Sequence, residues 1–262
     1  TPTPVPTCTP QPVVRQDWYV QRNRDLRILL KRNGSFQSEM EITAAIDKMA
    51  IDPDKPMVAL TFDDGPMPGV TDEILDILAQ YNVRATFFVL GWRLEKPASI
   101  DMIRRAVAQG CEIGNHTYLH ENLSQKDAND TKWTLSATNR AVYDATGYVM
   151  HDMRPSGGRL GFMLSSVCRR MDMAVVLWAQ SGNVMETDPA KIAQNVQKQI
   201  VNGKELHDGD IILLHDTKKH MVEAVKIIVP QLLDEGYQLV TVWELLNLSE
   251  GGFVPGQVYR HQ

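Results

Sequence analysis

Hydrophobic and polar positions alternate in two ways along most of the chain, and the pattern indicates strands separated by helices. Apolar runs of strand length lie at 57–62, 85–91, 174–180, 210–215 and 237–243. Between these runs, apolar residues recur at helical spacing, which predicts helices at 71–82, 99–110, 188–203 and 220–236. Repeated strand–helix units predict a parallel sheet, either open or closed into a barrel.

The predicted helices carry recognisable start and stop signals. Thr71 is a candidate N-cap, and Pro189 falls in the first turn of its helix. Gly110, Gly203 and Gly236 each follow the last periodic residue of a helix, as C-terminal glycines do. The signals support the boundaries that the periodicity gives.

The two ends of the chain differ from its centre. Residues 1–12, TPTPVPTCTPQP, are rich in Thr and Pro and predict an extended linker. A small N-terminal appendage of strand and helix is predicted for residues 13–56. The main domain is predicted for residues 57–250, and a C-terminal tail for residues 251–262. Stalks of this composition often follow a removed export signal, so the linker favours an exported protein.

Composition and charge exclude several classes of protein. The chain has 262 residues, of which 43% are hydrophobic and 23% charged, as in ordinary globular proteins. Its net charge of -5 gives no reason to expect nucleic-acid binding, and no apolar run approaches the roughly 18 residues of a membrane span. Three cysteines without a CxxC pair indicate neither a disulfide framework nor a cysteine zinc site.

Titratable and cationic side chains follow one predicted strand after another. TFDDGP places two adjacent carboxylates, Asp63 and Asp64, directly after the first apolar run. In parallel barrels, the C-terminal ends of the strands share one face, where the chemistry takes place. Each motif alone is more often a surface turn or a core histidine, but their joint occurrence favours a functional site. The other members are His116 and His120 in CEIGNHTYLH, Arg154 in MHDMRPSGG and His215 in DIILLHD.

These residue types suit a metal-assisted hydrolysis. One aspartate and two histidines are a three-ligand set for a divalent metal, with positions left for water and substrate. A cation also neutralises one of two adjacent carboxylates, which otherwise repel each other. The second carboxylate can act as a general base towards a water that the metal has made more acidic. A histidine on the opposite side can protonate the leaving group, and an arginine can orient the base.

The motifs TFDDGP, HTYLH, RPSGG and LLHD resemble, in order and spacing, those of polysaccharide deacetylases with a NodB homology domain. These are carbohydrate esterases, and the similarity extends to bacterial peptidoglycan and chitin-type N-acetylglucosamine deacetylases. It covers roughly residues 57–246, and FVPGQVY resembles the tail of bacterial cell-wall members. The resemblance implies an α/β fold, a distorted (β/α) barrel of seven strand–helix units. It also implies metal-dependent hydrolysis of acetyl groups, mainly N-acetyl, from peptidoglycan or a chitin-like glycan.

The resemblance implies a role for each motif residue. The general base would be Asp63, the general acid His215, and Arg154 would pair with the base. The implied metal ligands are Asp64, His116 and His120. The implied substrate-binding residues are Gly157, whose amide would stabilise the oxyanion, with Leu213, Trp178 and Pro155.

The resemblance also implies a cofactor, a partner and a location. The cofactor would be a divalent metal, with zinc favoured over cobalt, nickel or manganese. The partner would be a polysaccharide, handled outside the cell or at its envelope. A glycan on the Asn115 triplet NHT would crowd the metal site, which favours a bacterial source.

Two stretches depart from the family pattern. RPSGG lacks the tyrosine of the family pattern Arg-Pro-Pro-Tyr-Gly, and the loss of its ring opens the wall of the groove. In LWAQSGNVMETD, Ser181 and Val184 stand at the positions of two family acids, and Met185 stands at that of a tryptophan. The second of those acids orients the general acid in the family, so turnover is expected to be weaker or the substrate unusual.

Three functions therefore stay open. Glu186 or Asp188 could replace the missing acid from a shifted loop. If neither does, a carbohydrate-binding protein with impaired turnover is favoured, whereas intact Asp63, Arg154 and His215 favour an enzyme. The third function is a metal amidohydrolase that acts on a non-sugar amide.

Overall fold

The computed structural model describes residues 14–34, 36–182, 184–198, 203–249 and 251–262; the linker predicted for residues 1–12 lies outside them. None of the helices in these ranges is both long and apolar enough to span a bilayer. The helices are α1 (Val14–Asn33), α2 (Glu39–Lys48), α3 (Thr71–Gln80), α4 (Pro97–Ala108), α5 (Ala128–Thr146), α6 (Leu164–Arg170), α7 (Pro189–Gln197), α8 (Lys219–Asp234) and α9 (Val242–Leu248). The strands are β1 (Met57–Asp63), β2 (Thr86–Val89), β3 (Glu112–Asn115), β4 (Asp152–Met153), β5 (Ala174–Val176), β6 (Gln180–Ser181), β7 (Ile211–His215), β8 (Gln238–Val240) and β9 (Val258–Tyr259).

The described strands form one parallel sheet that curls into a distorted barrel, which confirms the predicted fold class. Their order is β6-β7-β1-β2-β3-β4-β5-β9, with β8 paired to β1. The single strand predicted at 174–180 is two short strands, because the chain changes partners at residues 177–179. Its first part pairs with β4 and its second part with β7, so this one segment bridges the two sides of the sheet.

Side chains along β1 alternate between the two faces of the sheet, as extended backbone requires. Leu60 and Phe62 pack in the core between the sheet and the helices. Met57 and Ala59 belong to a second cluster in the barrel interior. Asp63 continues this inner series, so the alternation places its carboxylate inside the barrel at the end where β1 finishes.

The N-terminal appendage is helical. Its described residues form α1 and α2 and contain no strand, so the strand predicted within 13–56 is absent there. Arg22 of α1 donates to Glu244 of α9 and to the carbonyl of Met49, and Arg84 donates to the other oxygen of Glu244 at 2.7 Å. Buried charges are stable only when paired. This network therefore fixes α1 against the body of the barrel.

The predicted C-terminal tail contributes the last strand of the sheet. Val175 N donates to Gln257 O at 2.8 Å, and Leu177 N donates to Tyr259 O at 2.7 Å. These bonds hold β9 along β5 and continue to Leu177, next to the point where the 174–181 segment changes partners.

Two buried carboxylic acids share the barrel interior. Glu112 accepts hydrogen bonds from Thr86 Oγ1 and Trp243 N, at 2.8 and 2.9 Å. Burial raises the pKa of Glu112 to about 7. Burial and the charge of Glu112 raise the pKa of Asp152 well above its usual range. Two carboxyl groups this close retain a proton that exposed ones would lose.

Glu112→Gln is expected to flatten the dependence of stability on pH. Folding raises the pKa of the Glu112 carboxyl group. The wild type is therefore stabilised at pH values below the pKa that this group has in the unfolded chain, and this stabilisation is lost as the pH rises towards about 7. Glutamine cannot ionise and can still accept the bond from Trp243 N. From pH ~5 to pH ~7, the variant should gain about 2 kcal/mol relative to wild type in urea unfolding. Parallel curves for the two proteins would contradict the assignment.

Candidate active site

The predicted site residues meet at one end of the barrel. Asp63 ends β1 and pairs in register with His215, which ends β7. His116 directly follows β3 and Arg154 directly follows β4. Each of them follows a residue whose side chain faces the helices, so each occupies an inward-facing position, and the parallel topology gathers them on one face.

Three of these residues form a compact set of potential metal ligands. Asp64 Oδ1 lies 3.4 Å from Nε2 of His116 and 3.4 Å from Nε2 of His120. All three ligand atoms lie within 4.8 Å of one another. Asp64 Oδ1 is buried and receives no hydrogen bond from the described residues. His116 Nδ1 contacts Arg154 O at 2.7 Å, which places the proton on Nδ1 and leaves the Nε2 lone pair facing Asp64.

The electrostatics of this set favour a cation. Burial alone would raise the pKa of Asp64, but the charges of His116, His120 and His215 lower it overall. Burial alone would lower the pKa of His116, but Asp63 and Asp64 raise it overall. The lowered pKa keeps Asp64 ionised, and the raised pKa of His116 reflects the negative charge of the two carboxylates, which a bound cation would offset. An orphaned carboxylate oxygen and two imidazole nitrogens are therefore a donor set that fits a divalent metal.

The backbone at this set is strained. Asp64 and His120 have φ values of 73° and 61°, in the left-handed region that side chains other than glycine rarely adopt. Thr117, between the two histidines, is left-handed as well, and its N–H is held by Asn115 Oδ1 at 2.8 Å. Such residues cost on the order of 1–3 kcal/mol each and persist where the surroundings fix them.

Arg154 holds the carboxylate of Asp63. The Arg154 side chain is fully buried, and its Nη1 donates to Asp63 Oδ1 and to Thr61 Oγ1, both at 2.7 Å. Its other nitrogens donate to the carbonyls of Val176 and Leu177, where the 174–181 segment changes partners. Asp63 Oδ2 stays free of Arg154 and lies 3.7 Å from His116 Nε2. The arrangement leaves one carboxylate oxygen directed at the ligand set.

His215 faces the same centre from the neighbouring strand β7. Its Nε2 lies 4.0 Å from Asp64 Oδ2, and within the described ranges no other carboxylate reaches ion-pair distance. Glu186 accepts hydrogen bonds from the next two backbone amides, and Asp188 caps α7. Neither therefore replaces the family acid. Val184, at the position of that acid, is exposed.

Asp216 is a buried residue of the site region that the sequence analysis did not single out. It accepts a hydrogen bond from Thr71 Oγ1, which in turn accepts one from Met67 N at 2.7 Å. Burial raises the pKa of Asp216 to about 7. A Cβ at Gly65 would come within 2.1 Å of its carboxylate, so the loop after Asp64 requires glycine here. The position of Asp216 directly after His215 was the available signal.

This network corrects the prediction that Thr71 is an N-cap. Thr71 is the first residue of α3, and the N-cap is Val70, which makes no side-chain capping bond. The Thr71 hydroxyl donates to Asp216 instead, so it ties the start of α3 to the residue that follows β7.

The predicted groove residues lie around the turn that follows β4. Gly157 has a φ of 63°, and its N–H makes no hydrogen bond within the described part of the chain. Pro155 O accepts from Gly158 N at 2.8 Å. The Trp178 ring covers Gly158, where a Cβ would lie 2.8 Å from it. Leu213 is buried two residues before His215, on the same face of β7.

Comparisons with known proteins agree with this geometry. The family model described as "Polysaccharide deacetylase" matches residues 50–176. The peptidoglycan-N-acetylmuramic acid deacetylase PdaC of Bacillus subtilis is 34% identical over 212 residues, which are 80% of this chain and 43% of that protein. A peptidoglycan-N-acetylglucosamine deacetylase of Bacillus cereus is 33% identical over 200 residues, 73% of this chain and 88% of that protein.

A solved structure shows the same likeness in three dimensions. The family 4 acetyl xylan esterase from Clostridium thermocellum, in complex with a cobalt ion, matches with a TM-score of 0.69 and 32% identity. The match covers 78% of this chain and 98% of that one. In contrast, the chain spans less than half the length of the Bacillus subtilis relative.

Proposed function

The chain belongs to the polysaccharide deacetylase family, and we propose that it hydrolyses acetyl groups, mainly N-acetyl, on a peptidoglycan or chitin-like polysaccharide. One observation carries the proposal. The orphaned oxygen of Asp64 faces the Nε2 atoms of His116 and His120, directly beside the buried Asp63–Arg154 pair. A cation-binding set next to an oriented carboxylate is the equipment that amide hydrolysis needs.

Asp64, His116 and His120 would hold the cation. We propose zinc, because one carboxylate and two imidazoles match its usual ligands, although cobalt, nickel and manganese suit the same donors. When bound, the ion supplies positive charge that acidifies water and polarises the acetyl carbonyl.

The remaining residues divide the proton transfers among them. Asp63 Oδ2 accepts a proton from the attacking water, while Arg154 holds Oδ1 and sets the orientation of the carboxylate. The free N–H of Gly157 donates to the carbonyl oxygen as negative charge develops there. His215, on the neighbouring strand β7, donates a proton to the departing nitrogen. Trp178, Pro155 and Leu213 shape the groove that receives the sugar and its acetyl group.

The location of the activity follows from the substrate. Peptidoglycan lies outside the bacterial cytoplasmic membrane, and the two relatives are named for it. A deacetylase of this class in a bacterium would therefore act in the cell envelope or outside the cell, where its partner is the polysaccharide itself.

A second function, carbohydrate binding with impaired turnover, is favoured by one observation. Among the described residues, none is the acidic partner of His215 that the family resemblance leads one to expect, and Glu186 and Asp188 are engaged elsewhere. A poorly oriented acid would slow the departure of the amine without preventing the glycan from binding.

Acetate release decides between these functions. Peptidoglycan, chitooligosaccharides and acetylxylan are incubated with the protein before and after chelation, and again after zinc or cobalt is restored. We expect release from at least one glycan, loss on chelation and recovery with metal. His120→Ala should contain less metal by elemental analysis and release less acetate. Glycan binding without release would support the second function. Release from small acetamides alone would support a non-sugar amidohydrolase.

A further inference from the structure

The turn after β4 carries two arginines in opposite environments. Arg154 is fully buried, and each of its nitrogens donates to a protein acceptor. Arg159, five residues later, is exposed. Within the described ranges its side chain has no hydrogen-bond acceptor and no carboxylate within 4.0 Å. The Arg159 guanidinium therefore keeps its N–H donors available to a ligand.

This free guanidinium lies beside the amide proposed to bind the oxyanion. Arg159 Nε is 3.9 Å from the point that a Cβ on Gly157 would occupy, and beyond Gly157 and its two chain neighbours no other described atom lies within 4 Å of that point. The N–H of Gly157 makes no hydrogen bond to the described residues. A carbonyl oxygen on this amide would thus leave the atoms next to it on the sugar within reach of Arg159.

The wall of the groove is open at the same place. Ser156 is buried, and its Oγ lies 3.4 Å from Thr117 Oγ1, so its side chain is directed into the protein. Gly157, which by count stands at the tyrosine of the family pattern, has no side chain, so the space that the ring would fill stays open. The opening can admit a substituent on the sugar that is bulkier than a hydroxyl.

We infer that Arg159 binds a carboxylate on the sugar carbon next to the acetamido group, as in the lactyl ether of an N-acetylmuramic acid residue. The inference rests on the proposed function and names its substrate class. A guanidinium and a carboxylate form charge-assisted, often bidentate hydrogen bonds. N-acetylglucosamine has a hydroxyl on that sugar carbon, and a hydroxyl carries no negative charge for the guanidinium to pair with.

Carboxylates reach this position from two sources. In glycan strands without stem peptides, the lactyl carboxylate is free. In strands with stem peptides, it is consumed in an amide bond, and the peptide brings carboxylates of its own farther from the sugar. The proximity of Arg159 to Gly157 favours the lactyl group, so strands without peptides are the predicted ligand.

The test is a ratio of specificities. The kcat/KM for acetate release is measured on peptide-free muramic strands, on strands with peptides, on strands with methyl-esterified lactyl groups and on chitooligosaccharides. Arg159→Gln should lower the ratio of peptide-free strands to chitooligosaccharides about ten-fold, mainly through KM. Arg159→Lys should restore part of it, because the charge returns without the planar fork. Arg170→Gln, at the exposed end of α6, is the matched control and should keep the ratio.

Each outcome assigns the failure to one proposal. No acetate from any glycan would overturn the proposed function itself. Acetate release with the same ratio in wild type and Arg159→Gln would overturn the inference alone. An equal effect of Arg159→Gln on esterified and free lactyl strands would overturn the role of the carboxylate. If Arg159→Gln lowers kcat/KM only on strands with peptides, Arg159 contacts a carboxylate of the stem peptide and the lactyl assignment is overturned. Calorimetric binding of peptide-free strands to Asp63→Asn, with and without Arg159→Gln, checks the contact independently of turnover.

Discussion

Replacing Asp63 with Asn is expected to abolish most turnover while the fold and the metal content persist. Asn keeps the size of the side chain and can still accept a hydrogen bond from Arg154 Nη1. It cannot accept a proton from the attacking water, and a lost general base costs about 10²–10⁴-fold in rate. Initial rates of acetate release and elemental analysis of the same preparations measure both expectations.

Asp64→Asn is the matched control, because the two aspartates are neighbours. It removes the orphaned carboxylate between His116 and His120, so it should lose metal as well as rate. If Asp63→Asn loses metal and Asp64→Asn keeps it, the roles of base and ligand are reversed.

Replacing Arg154 with Met should be costly for both stability and turnover. The substitution leaves the Asp63 carboxylate buried without its partner and leaves the carbonyls of Val176 and Leu177 without donors. Removing one member of a buried ion pair typically costs about 3–5 kcal/mol. We expect urea unfolding to show a loss of this size and acetate release to fall to background.

A double variant separates the charge from the packing. In Asp63→Asn/Arg154→Met no buried carboxylate is left unpaired, so its stability should exceed that of Arg154→Met alone. Arg140→Met, which removes an exposed ion pair with Asp144, should cost less than about 1 kcal/mol. Equal losses for Arg154→Met and Arg140→Met would contradict the importance of the buried pair.

The barrel and the location of its site could be predicted because both depend on local patterns. The apolar run of β1 and the residues that end it are contiguous in sequence, and parallel topology brings such ends together. Helix α5 could not be predicted in this way. Its buried face includes Thr131, Thr134, Thr138 and Thr146, which a hydrophobic pattern counts as polar.

The finer features of the site depend on contacts between distant residues. The bond between Thr71 and Asp216 joins positions 145 residues apart, so the local capping signal at Thr71 was misleading. Whether the Arg159 guanidinium has an ion-pair partner depends on which acidic residues approach the turn. Sequence spacing does not determine which residues those are. The two residues of β9 are too few to show a periodicity.

The proposed cation would bind Asp64 and His120, whose backbone is left-handed, and its occupancy would thereby be coupled to the thermal resistance of the whole protein. A cation that binds only the folded chain adds its binding free energy to the stability of that state. Chelated preparations would then be more vulnerable to heat, proteases and storage, because they lose this binding free energy. Buffers that contain chelators or imidazole should accordingly shorten the useful life of the protein, and trace divalent metal during purification should extend it.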